Sequence, residues 1–405
     1  GAVVGDVETD VTIETRGKHV GGVVGLSGEA TVRDATASGK VRGERQAGGV
    51  VGTCTDTNVE NCSSDATVIA GEVIAGGIVG YHKGDEQVTD ADFTGYVTSD
   101  DLAGGIVGEA IGDVTGCTVD ARVLCDEHTG GCVGKLLGAE VRDCSVRGSV
   151  EGRESIGGIA GGTSSYEDES SILRDCTAHA SVDGHSDVGG LVGFHRTRLE
   201  SCEATGDVTG GSNVGGAIGN GGLSCETVDV AVTGGDVGGL QDSVGGVSGR
   251  LPGGVIEDAT VTVTVTGQNH VGGVVGVVND ATIKRAEVTG EVFAREHHAG
   301  GVVGKQVEGL VKFCRVDASV QAEGQAGGIS GRVETGIMET DTTPGKIVEC
   351  SVEGGTVTAE AYAGGVVGGG TAVVIEDVLN AATVTGQSRI GGLAGTIEQG
   401  SIKRG

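Results

Sequence analysis

The sequence predicts an all-β fold, a β-solenoid (parallel β-helix) of about 14 coils, with ~27 residues and short strands in each coil. A five-residue pattern, Gly-Gly-apolar-small-Gly, recurs at this spacing, and Gly189–Gly193 is one copy. Apolar and polar residues alternate with the period of a strand, and no segment has the 3.6-residue period of a helix. Glycine supplies 82 of 405 residues without the Gly-X-Y period of collagen, so the glycines belong to the repeat.

The glycine doublet is predicted to close each coil. A corner with a positive φ favours glycine, and a Cβ at that corner would obstruct the next coil. The competing interpretation, a phosphate-binding loop, lacks a GxxxxGK[ST] motif and a following helix. We therefore assign a structural role to the second glycine of every copy: Gly22, Gly49, Gly77, Gly105, Gly131, Gly158, Gly190, Gly216, Gly246, Gly273, Gly301, Gly328, Gly365 and Gly392.

A regular coil shows how the strands follow one another. After the doublet at Gly272, the apolar run to Gly276 is followed by a polar turn and then by residues 281–286 and 288–292. Alternation in these segments predicts about three short strands per coil, with the inward residues stacked in columns. Stacking in register requires Val23, Val50 and Ile78 to lie above one another.

The domain organisation predicted is one repeat array over residues 1–405. Two coils are enlarged at the same place, by acidic insertions near residues 163–171 and 333–346. An irregular coil spans residues 220–243, where Gly238 and Gly239 resemble a displaced doublet. Both ends of the sequence fall inside a repeat, so we expect either a piece of a longer protein or a subunit that stacks end to end.

The charge balance of the chain limits the classes of partner that it could bind. The chain has 57 acidic and 27 basic residues, a formal net charge of −30 at pH 7, which argues against a nucleic-acid partner. No apolar run is long enough to cross a membrane, so direct membrane insertion is not expected. High acidity with few lysines is typical of proteins that work in concentrated salt, and we take a halophilic source as a hypothesis.

Cysteine repeats in phase with the glycines. We expect a ladder of sulfurs about 4.8 Å apart in consecutive coils. The favoured interpretation is a column of small buried residues, which reduced cysteine fills as well as alanine. Disulfides between coils and a metal site are the alternatives, although no CxxC pair is present. The residues in or near this phase are Cys62, Cys117, Cys144, Cys176, Cys202, Cys225, Cys314 and Cys350.

Two further groups are candidate cation sites. His270 and His298 belong to adjacent coils and precede their doublets, so they are either solvated corner residues or ligands of a surface metal. The first insertion carries Glu167, Asp168 and Glu169, which are either solvated or able to bind cations such as Ca²⁺. Neither insertion contains the GGxGxD nonapeptide or an EF-hand loop, so no cofactor is predicted.

Enzyme motifs are absent from the sequence. There is no HExxH or GxSxG motif, and carboxylates are too abundant for a pair of acids to be informative. Glycan-active β-helix enzymes remain a rival class, and a cleft with clustered carboxylates beside Tyr166 or Tyr362 would favour them. Only 4 Tyr and 4 Phe are present, so aromatic platforms for sugars are few.

The repeat resembles the GLUG motif, named for Gly-Leu-any-Gly. Residues 201–219, SCEATGDVTGGSNVGGAIG, are the best local match, and the resemblance extends over nearly the whole chain. Val or Ile usually replaces the leucine, which Leu191 and Leu393 keep, and Cys often stands where the family has Ser. GLUG repeats occur in large bacterial and archaeal surface proteins, including adhesins and immunoglobulin A peptidases. The resemblance implies an extracellular β-solenoid and carries no catalytic residues.

The predicted function is that of a non-enzymatic structural or adhesive solenoid, extracellular or at the cell surface. It would serve as a stalk, an adhesin segment or a filament building block that presents a stiff acidic surface. The expected partners are protein or glycan surfaces, or further copies of the chain stacked end to end. A self-assembling filament subunit and a glycan-active β-helix enzyme are the alternatives.

The acidic surface predicts a strong dependence of stability on salt. Because like charges repel and salt screens them, we expect the melting temperature to rise by about 10 °C between 10 mM and 2 M KCl. Circular dichroism melts over this range measure the effect. Equal melting temperatures at both ends would contradict the halophilic hypothesis.

Overall fold

The computed structural model describes residues 2–167, 169–335 and 344–404, which form two compact units, residues 1–206 and 207–405. Within these ranges there is no helix, and hence none that could span a membrane. The named strands pair in parallel from coil to coil. In the first unit, for example, residues 118–125 pair with 145–152, and in the second unit residues 287–294 pair with 315–322. Each unit is therefore a parallel β-solenoid, as predicted.

In each unit, the first glycine of every doublet ends a short strand, and these doublet strands form a sheet of their own, the doublet sheet. In the first unit these doublet strands are His19–Gly21, Gln46–Gly48, Ile74–Gly76, Leu102–Gly104, His128–Gly130, Glu154–Gly157 and Ser186–Gly189. In the second unit they are Ser212–Gly215, Val244–Gly245, His270–Gly272, His298–Gly300, Gln325–Gly327, Tyr362–Gly364 and Arg389–Gly391.

The other strands make the remaining walls of the coils. In the first unit they are Ala2–Glu14, Val24–Gly43, Val51–Glu60, Ser63–Ser64, Thr67–Ala70, Val79–Lys83, Val88–Thr89, Asp92–Phe93, Tyr96–Ser99, Val107–Ala110, Val114–Thr115, Thr118–Cys125, Val133–Leu137, Glu140–Arg142, Ser145–Gly152, Ala160–Ser164, Ile172–Arg174, Thr177–Ala178, Ser181–Asp183, Val192–His195 and Arg198–Ala204. In the second unit they are Val208–Gly210, Ile218–Gly221, Glu226–Val232, Val237–Gly239, Ser248–Leu251, Val255–Val261, Thr264–Gly267, Val275–Asn279, Thr282–Lys284, Glu287–Ala294, Val303–Val307, Leu310–Lys312, Arg315–Ala322, Ser330–Glu334, Gly345–Val348, Ser351–Gly354, Thr356–Ala359, Val367–Thr371, Val373–Glu376, Leu379–Asn380, Thr383–Gly386, Ala394–Glu398 and Ser401–Lys403.

One coil illustrates the arrangement. It runs through His298–Gly300, Val303–Val307, Leu310–Lys312 and Arg315–Ala322 before the next doublet strand begins. The coil therefore has four strands and not the three expected, because the residues that end in the doublet pair separately from the run that follows it. A short turn between the second and third strands gives the coil its additional corner.

Equivalent residues stack in register. The Val23 amide donates to the Val50 carbonyl, and the Val50 amide donates to the Ile78 carbonyl, each at 3.0 Å. Val50 and Ile78 are fully buried, so the residue after each doublet fills the interior of its coil. The predicted stacking of these three residues is confirmed.

The doublet glycines are required by close packing between coils. An added Cβ on Gly105 would lie 2.1 Å from the Gly131 carbonyl oxygen, and one on Gly301 would lie 2.1 Å from that of Gly328. The first glycine is equally restricted, since a Cβ on Gly300 would lie 1.9 Å from the Val303 oxygen. Among the described residues, however, none of the doublet glycines has a positive φ. The predicted steric role is confirmed, and the predicted left-handed conformation is wrong.

The left-handed conformation occurs at another corner, one residue before the phase of the cysteines. Non-glycine residues adopt this conformation here at a cost of ~1–2 kcal/mol each, because their Cβ lies close to the backbone. Asp, Asn and Ser tolerate the conformation best. We call this column the left-handed corner. Its non-glycine members with φ between 50° and 57° include Asp34, Asn61, Asp90, Asp143, Asp175, Ser201, Asp229, Asp258, Arg285, Phe313, Glu349 and Asp377.

The irregular coil keeps the path of its neighbours. Val237–Gly239 pairs with Val208–Gly210 on one side, and Val237 and Gly238 pair with Val265 and Thr266 on the other, outside the doublet sheet. The doublet of this coil is Gly245 with Gly246, whose Cβ would lie 2.0 Å from the Gly273 oxygen. Gly238 and Gly239 are therefore part of an ordinary wall strand, and reading them as a displaced doublet is wrong.

Close packing predicts that a doublet glycine tolerates no side chain. Gly105→Ala should lower the free energy of unfolding by about 3 kcal/mol or more, because its Cβ would overlap backbone that cannot move independently. Urea unfolding followed by circular dichroism measures the loss. Gly28→Ala is the matched control, since the nearest atom to its Cβ would be 3.9 Å away. Equal stability of the two variants would show that the doublet is not constrained by sterics.

Candidate functional site

The cysteine column lies directly behind the left-handed corner. In the first unit, the Ser145 amide bonds to the Cys117 carbonyl, the Thr177 amide to the Cys144 carbonyl and the Glu203 amide to the Cys176 carbonyl. These bonds stack Cys117, Cys144, Cys176 and Cys202 in consecutive coils, as the sequence predicts. All eleven cysteines of the chain are unbridged and buried. The column of small buried residues is therefore the arrangement found, and the disulfide alternative is wrong for this structure.

Each thiol of the column has a local hydrogen-bond acceptor. The sulfurs of Cys117, Cys144 and Cys176 lie 3.4, 3.2 and 3.1 Å from the carbonyl oxygen two residues earlier, and Cys314 repeats the contact at 3.4 Å. The same carbonyls also accept a backbone hydrogen bond from the preceding coil, as Thr115 does from the Asp90 amide and Arg142 from the Gly116 amide, so the thiol contact is an additional one. Alanine fills the column in other coils, at Ala259 and Ala286, and cysteine and alanine therefore share one structural role.

One predicted member does not belong to the column. Cys225 precedes Glu226, which pairs with Val255, while Val230 pairs with Ala259 of the small-residue column. Val230 therefore takes the place predicted for Cys225, because Asp229 is the left-handed corner of this coil. Burial raises the pKa of the Cys225 thiol to about 11, so it remains protonated and unreactive at neutral pH.

The two histidines predicted to be neighbours form a stacked pair. The ring centroids of His270 and His298 are 4.9 Å apart with the planes tilted by 8°, and their Nδ1 atoms are 2.9 Å apart. Such a distance requires one Nδ1 to donate to the other, so at least one ring is neutral. Burial lowers the pKa of His270 to about 4, and burial followed by the neighbouring His270 lowers the pKa of His298 to about 3.

The surroundings of the histidine pair do not favour a bound cation. Lys305 and Arg332 contribute to the lowered pKa of His298, but both pair with Glu334, which together with Asp242 acts in the opposite direction on the pKa of His270. Across the described parts of the chain, no cluster of three or more His, Cys, Asp or Glu side chains has an arrangement that could hold a metal. The pair is thus a packed, hydrogen-bonded part of the wall and not a solvated corner.

The first insertion is anchored at both ends by buried hydroxyl groups. The Gly138 amide donates to Ser171 Oγ at 2.9 Å, and Thr163 Oγ1 lies 3.1 Å from His195 Nδ1. Between these anchors, Tyr166 and Glu169 exchange two backbone hydrogen bonds of 2.9 Å, which closes a small loop on the surface. The insertion is therefore a structured element that projects from the wall of the solenoid.

A cleft of about 230 Å³ lies between this loop and the preceding coils. Tyr166, Glu167 and Glu169 contribute one side, and Asp168 lies outside the described residues. The opposite side comes from three coils at nearly the same phase of the repeat. The lining residues are Lys83, Gly84, Asp85, Ile111, Gly138, Tyr166, Glu167 and Glu169, and we call this site the insertion cleft.

Electrostatics near the insertion cleft involve two more side chains. Tyr81 and Glu109 are paired in register on adjacent coils. Burial raises the pKa of Tyr81, with Glu109 and Tyr166 adding to the rise, and burial raises the pKa of Glu109. Sequence reasoning singled out Tyr166 and Glu167 but missed Lys83, Asp85 and Ile111. Their spacing could have identified two of these residues, because Ile111 lies one repeat and Lys83 two repeats before Gly138.

The second insertion is described only at its two ends. Residues 336–343 of the predicted 333–346 segment lie outside the described residues. Its described flanks are ordinary walls: Ser330–Glu334 pairs in register with Val303–Val307, and Gly345–Val348 pairs with Val373–Glu376. The enlarged coil thus rejoins the wall on both sides of the insertion.

Comparison with known families agrees with the repeat analysis. The GLUG motif matches residues 17–42 and 43–69, which are consecutive and each about one coil long. Two coils of this solenoid are GLUG motifs. The predicted resemblance to GLUG-repeat proteins is confirmed in these coils, and the parallel pairing of His19–Gly21 with Gln46–Gly48 agrees with it. No curated protein and no solved structure matches the chain.

The histidine pair predicts acid sensitivity. Unfolded histidine takes up a proton near pH 6.5, but folded His270 does so only near pH 4 and folded His298 near pH 3. Below pH 6.5 the unfolded state therefore binds more protons, and stability that is complete above pH 6.5 is lost as pH falls toward the folded pKa values. For His270 alone the loss is on the order of 3 kcal/mol.

The measurement compares urea unfolding at pH 7 and pH 4.5. A His270→Gln, His298→Gln double variant should lose less stability between these pH values than the natural chain, because glutamine does not titrate. Glutamine suits the position, since Gln325 pairs with His298 in the next coil. His185→Gln, at an exposed histidine of another coil, is the control and should follow the natural chain. Parallel pH profiles for all three proteins would refute the assignment.

Proposed function

We propose that this GLUG solenoid is a non-enzymatic structural and adhesive protein of the cell surface or extracellular space. Two properties support a stiff stalk or adhesin segment. Its coils pair in register by backbone hydrogen bonds, and its interior is filled by small apolar side chains. A solenoid of this kind presents side chains at fixed spacings along its walls, which suits repeated contact with an extended partner.

The insertion cleft is the observation that carries the adhesive part of the proposal. Lys83 ends a wall strand, Ile111 and Gly138 each directly follow one, and hydrogen bonds at Thr163 and Ser171 fix the loop that carries Tyr166. A structured loop on a rigid scaffold is where binding residues are most often found. Tyr166 and the charged groups around it offer both an apolar ring and hydrogen-bonding groups to a partner.

The partner we propose is a protein or glycan surface outside the cell. The net charge of −30 disfavours nucleic acid, and the acidic exterior keeps the solenoid hydrated and separated from other copies of its walls. A halophilic source is part of the proposal, since concentrated salt would screen this charge. End-to-end stacking into a filament would leave the side walls and the insertion cleft open to the same partners.

The test combines localisation with adhesion. Immunogold labelling of source cells should mark the outer surface, and beads coated with the chain should attach to those cells. Tyr166→Ala should reduce attachment at least about fivefold, because it removes the ring without touching the anchoring hydroxyl groups. Arg33→Gln, at an exposed arginine far from the cleft in sequence, is the control. Internal labelling, or attachment unchanged by Tyr166→Ala, would defeat the proposal.

A glycan-active enzyme is the second candidate, and one observation favours it. The insertion cleft places the carboxylates of Asp85, Glu167 and Glu169 beside Tyr166, and the nearby carboxyl of Glu109 has a pKa raised by burial. Acid catalysis of glycoside cleavage uses a carboxyl with a raised pKa. Against it, Asp85, Glu167 and Glu169 are all exposed. Release of reducing ends from polysaccharides, lost in Glu109→Gln, would favour the enzyme over the adhesin.

A further inference from the structure

A larger groove lies in the unit formed by residues 207–405. Its volume is about 610 Å³, and it differs in chemistry from the insertion cleft because two arginines and an exposed phenyl ring line it. We call it the Arg–Phe groove. Its lining residues are Asp229, Asp258, Thr260, Arg285, Glu287, Phe313 and Arg315. The groove is made of other residues than the insertion cleft, and its proposed ligand does not depend on the proposed surface role.

One wall of the groove is the left-handed corner of four coils in succession. Asp229 and Asp258 are ordinary members of this column, but Arg285 and Phe313 hold φ values of 51° and 57° with long or bulky side chains. A bulky residue at positive φ is a conformational outlier, and such residues concentrate at functional sites. Three successive coils, at Arg285, Phe313 and Glu349, depart from the Asp, Asn or Ser found at this corner in most other coils, and the first two of them line the groove.

The other wall is a column of outward residues two positions later in each coil. Thr260 pairs with Glu287, and Glu287 pairs with Arg315, so the three side chains follow one another along the wall. Thr260 offers a hydroxyl, Glu287 offers acceptors and Arg315 offers donors. Hydrogen-bonding groups of both kinds therefore face the groove at intervals of about 4.8 Å.

The two arginines of the groove differ in how fully they are paired. Arg285 donates two hydrogen bonds to the Asp258 carboxylate, from Nε at 2.6 Å and from Nη2 at 2.8 Å. Its Nη2 also contacts Glu257. The guanidinium of Arg315 lies 3.7 Å from Glu287 and 3.9 Å from Glu353, beyond hydrogen-bond length. Arg315 can therefore turn its donors to a ligand, while Arg285 forms a fixed wall.

Phe313 supplies the apolar part of the groove. Its side chain is 43% exposed, although a phenyl ring gains most from burial. Lys312 Nζ lies 4.3 Å from the ring centroid and is held by Glu349 at 3.1 Å, so the cation occupies a place over the ring. Because the ammonium group covers one face of the ring, the opposite face is the one that can stack against a flat apolar ligand face.

We propose that the Arg–Phe groove binds an uncharged oligosaccharide. A sugar has hydroxyl groups that donate to Glu287 and accept from Arg315, and its C–H face can stack on Phe313. An anionic ligand is disfavoured by the three carboxylates of the groove and the net charge of −30. A cationic ligand would meet Arg285 and Arg315 at close range. A neutral polyol fits both columns and the ring.

The length of the groove agrees with a short oligomer. The left-handed corner from Asp229 to Phe313 covers three successive steps between coils, or roughly 14 Å at the spacing of paired strands. Donors and acceptors repeat along this length because the coils repeat. A chain of similar sugar units can use the same type of contact at each step, which a small single-ring ligand cannot.

The experiment measures binding of cellohexaose, maltohexaose and xylohexaose by isothermal titration calorimetry, with trigalacturonate and hexalysine as charged comparisons. At least one neutral hexasaccharide should bind, and its affinity should change less than about threefold between 0.15 M and 1 M KCl, because uncharged ligands release no counter-ions. Arg315→Gln and Phe313→Asn should each weaken that binding at least tenfold. Arg33→Gln, an exposed arginine 4.0 Å from its nearest carboxylate, is the matched control and should bind normally.

Phe313→Asn also separates binding from folding. Asparagine tolerates the left-handed conformation, so this variant should melt about 3 °C higher than the natural chain while it loses the ligand. Failure of all three neutral hexasaccharides to bind would overturn the proposal. So would binding that both variants retain, or binding of trigalacturonate or hexalysine as tight as that of the best neutral sugar.

Discussion

The close contact between backbones at the glycine doublet is the constraint on which the solenoid depends. A Cβ on Gly105 or Gly301 would lie 2.1 Å from a carbonyl oxygen of the next coil, a distance that no rotamer can relieve. Each coil is therefore held at one height and one phase relative to its neighbour. Once the doublets are stacked, the residue after them points inward, as Val50 and Ile78 do, and most wall strands pair in register with the next coil. The fixed relation between neighbouring coils thus follows from one excluded side chain, repeated.

The left-handed corner is the second constraint, and it selects the residues beside it. The residue after the corner is buried, and it is cysteine at Cys117, Cys144 and Cys314 but alanine at Ala259 and Ala286. The thiols add a contact to a carbonyl oxygen two residues earlier, which already accepts a backbone amide of the preceding coil. The corner itself is most often a short polar residue, such as Asp143 or Asp175, because such a side chain tolerates positive φ.

Periodicity made most of the fold predictable. A repeat about one coil long, an alternating pattern and a phase-locked cysteine are properties of the linear sequence, and each reports a stacked position. The number of strands per coil and the location of the left-handed corner were not predictable in this way, because both depend on which backbone groups pair across coils. Cys225 was misplaced for the same reason: its distance along the chain resembles that of Cys202, but pairing of Glu226 with Val255 assigns it to another column. The candidate sites were harder still, since Lys83 and Ile111 acquire meaning only when Tyr166 folds back over them.

Function in a repeat of this kind is best sought where the repeat is broken. A wall in which every coil presents the same side chains offers no distinct binding site for one ligand. A residue that breaks the repeat, and that the fold does not require, indicates a functional reason for its presence. Arg285 and Phe313 are such departures from the repeat, because Asp229 and Asp258 at the same corner of the two preceding coils show that the backbone does not require them. The loop that carries Tyr166 is another, because adjacent coils close without it. Conversely, His270 and His298 looked like a departure in the sequence, but their stacked rings fill the wall as Gln325 does in the next coil. Packing, and not residue type, distinguishes the two cases.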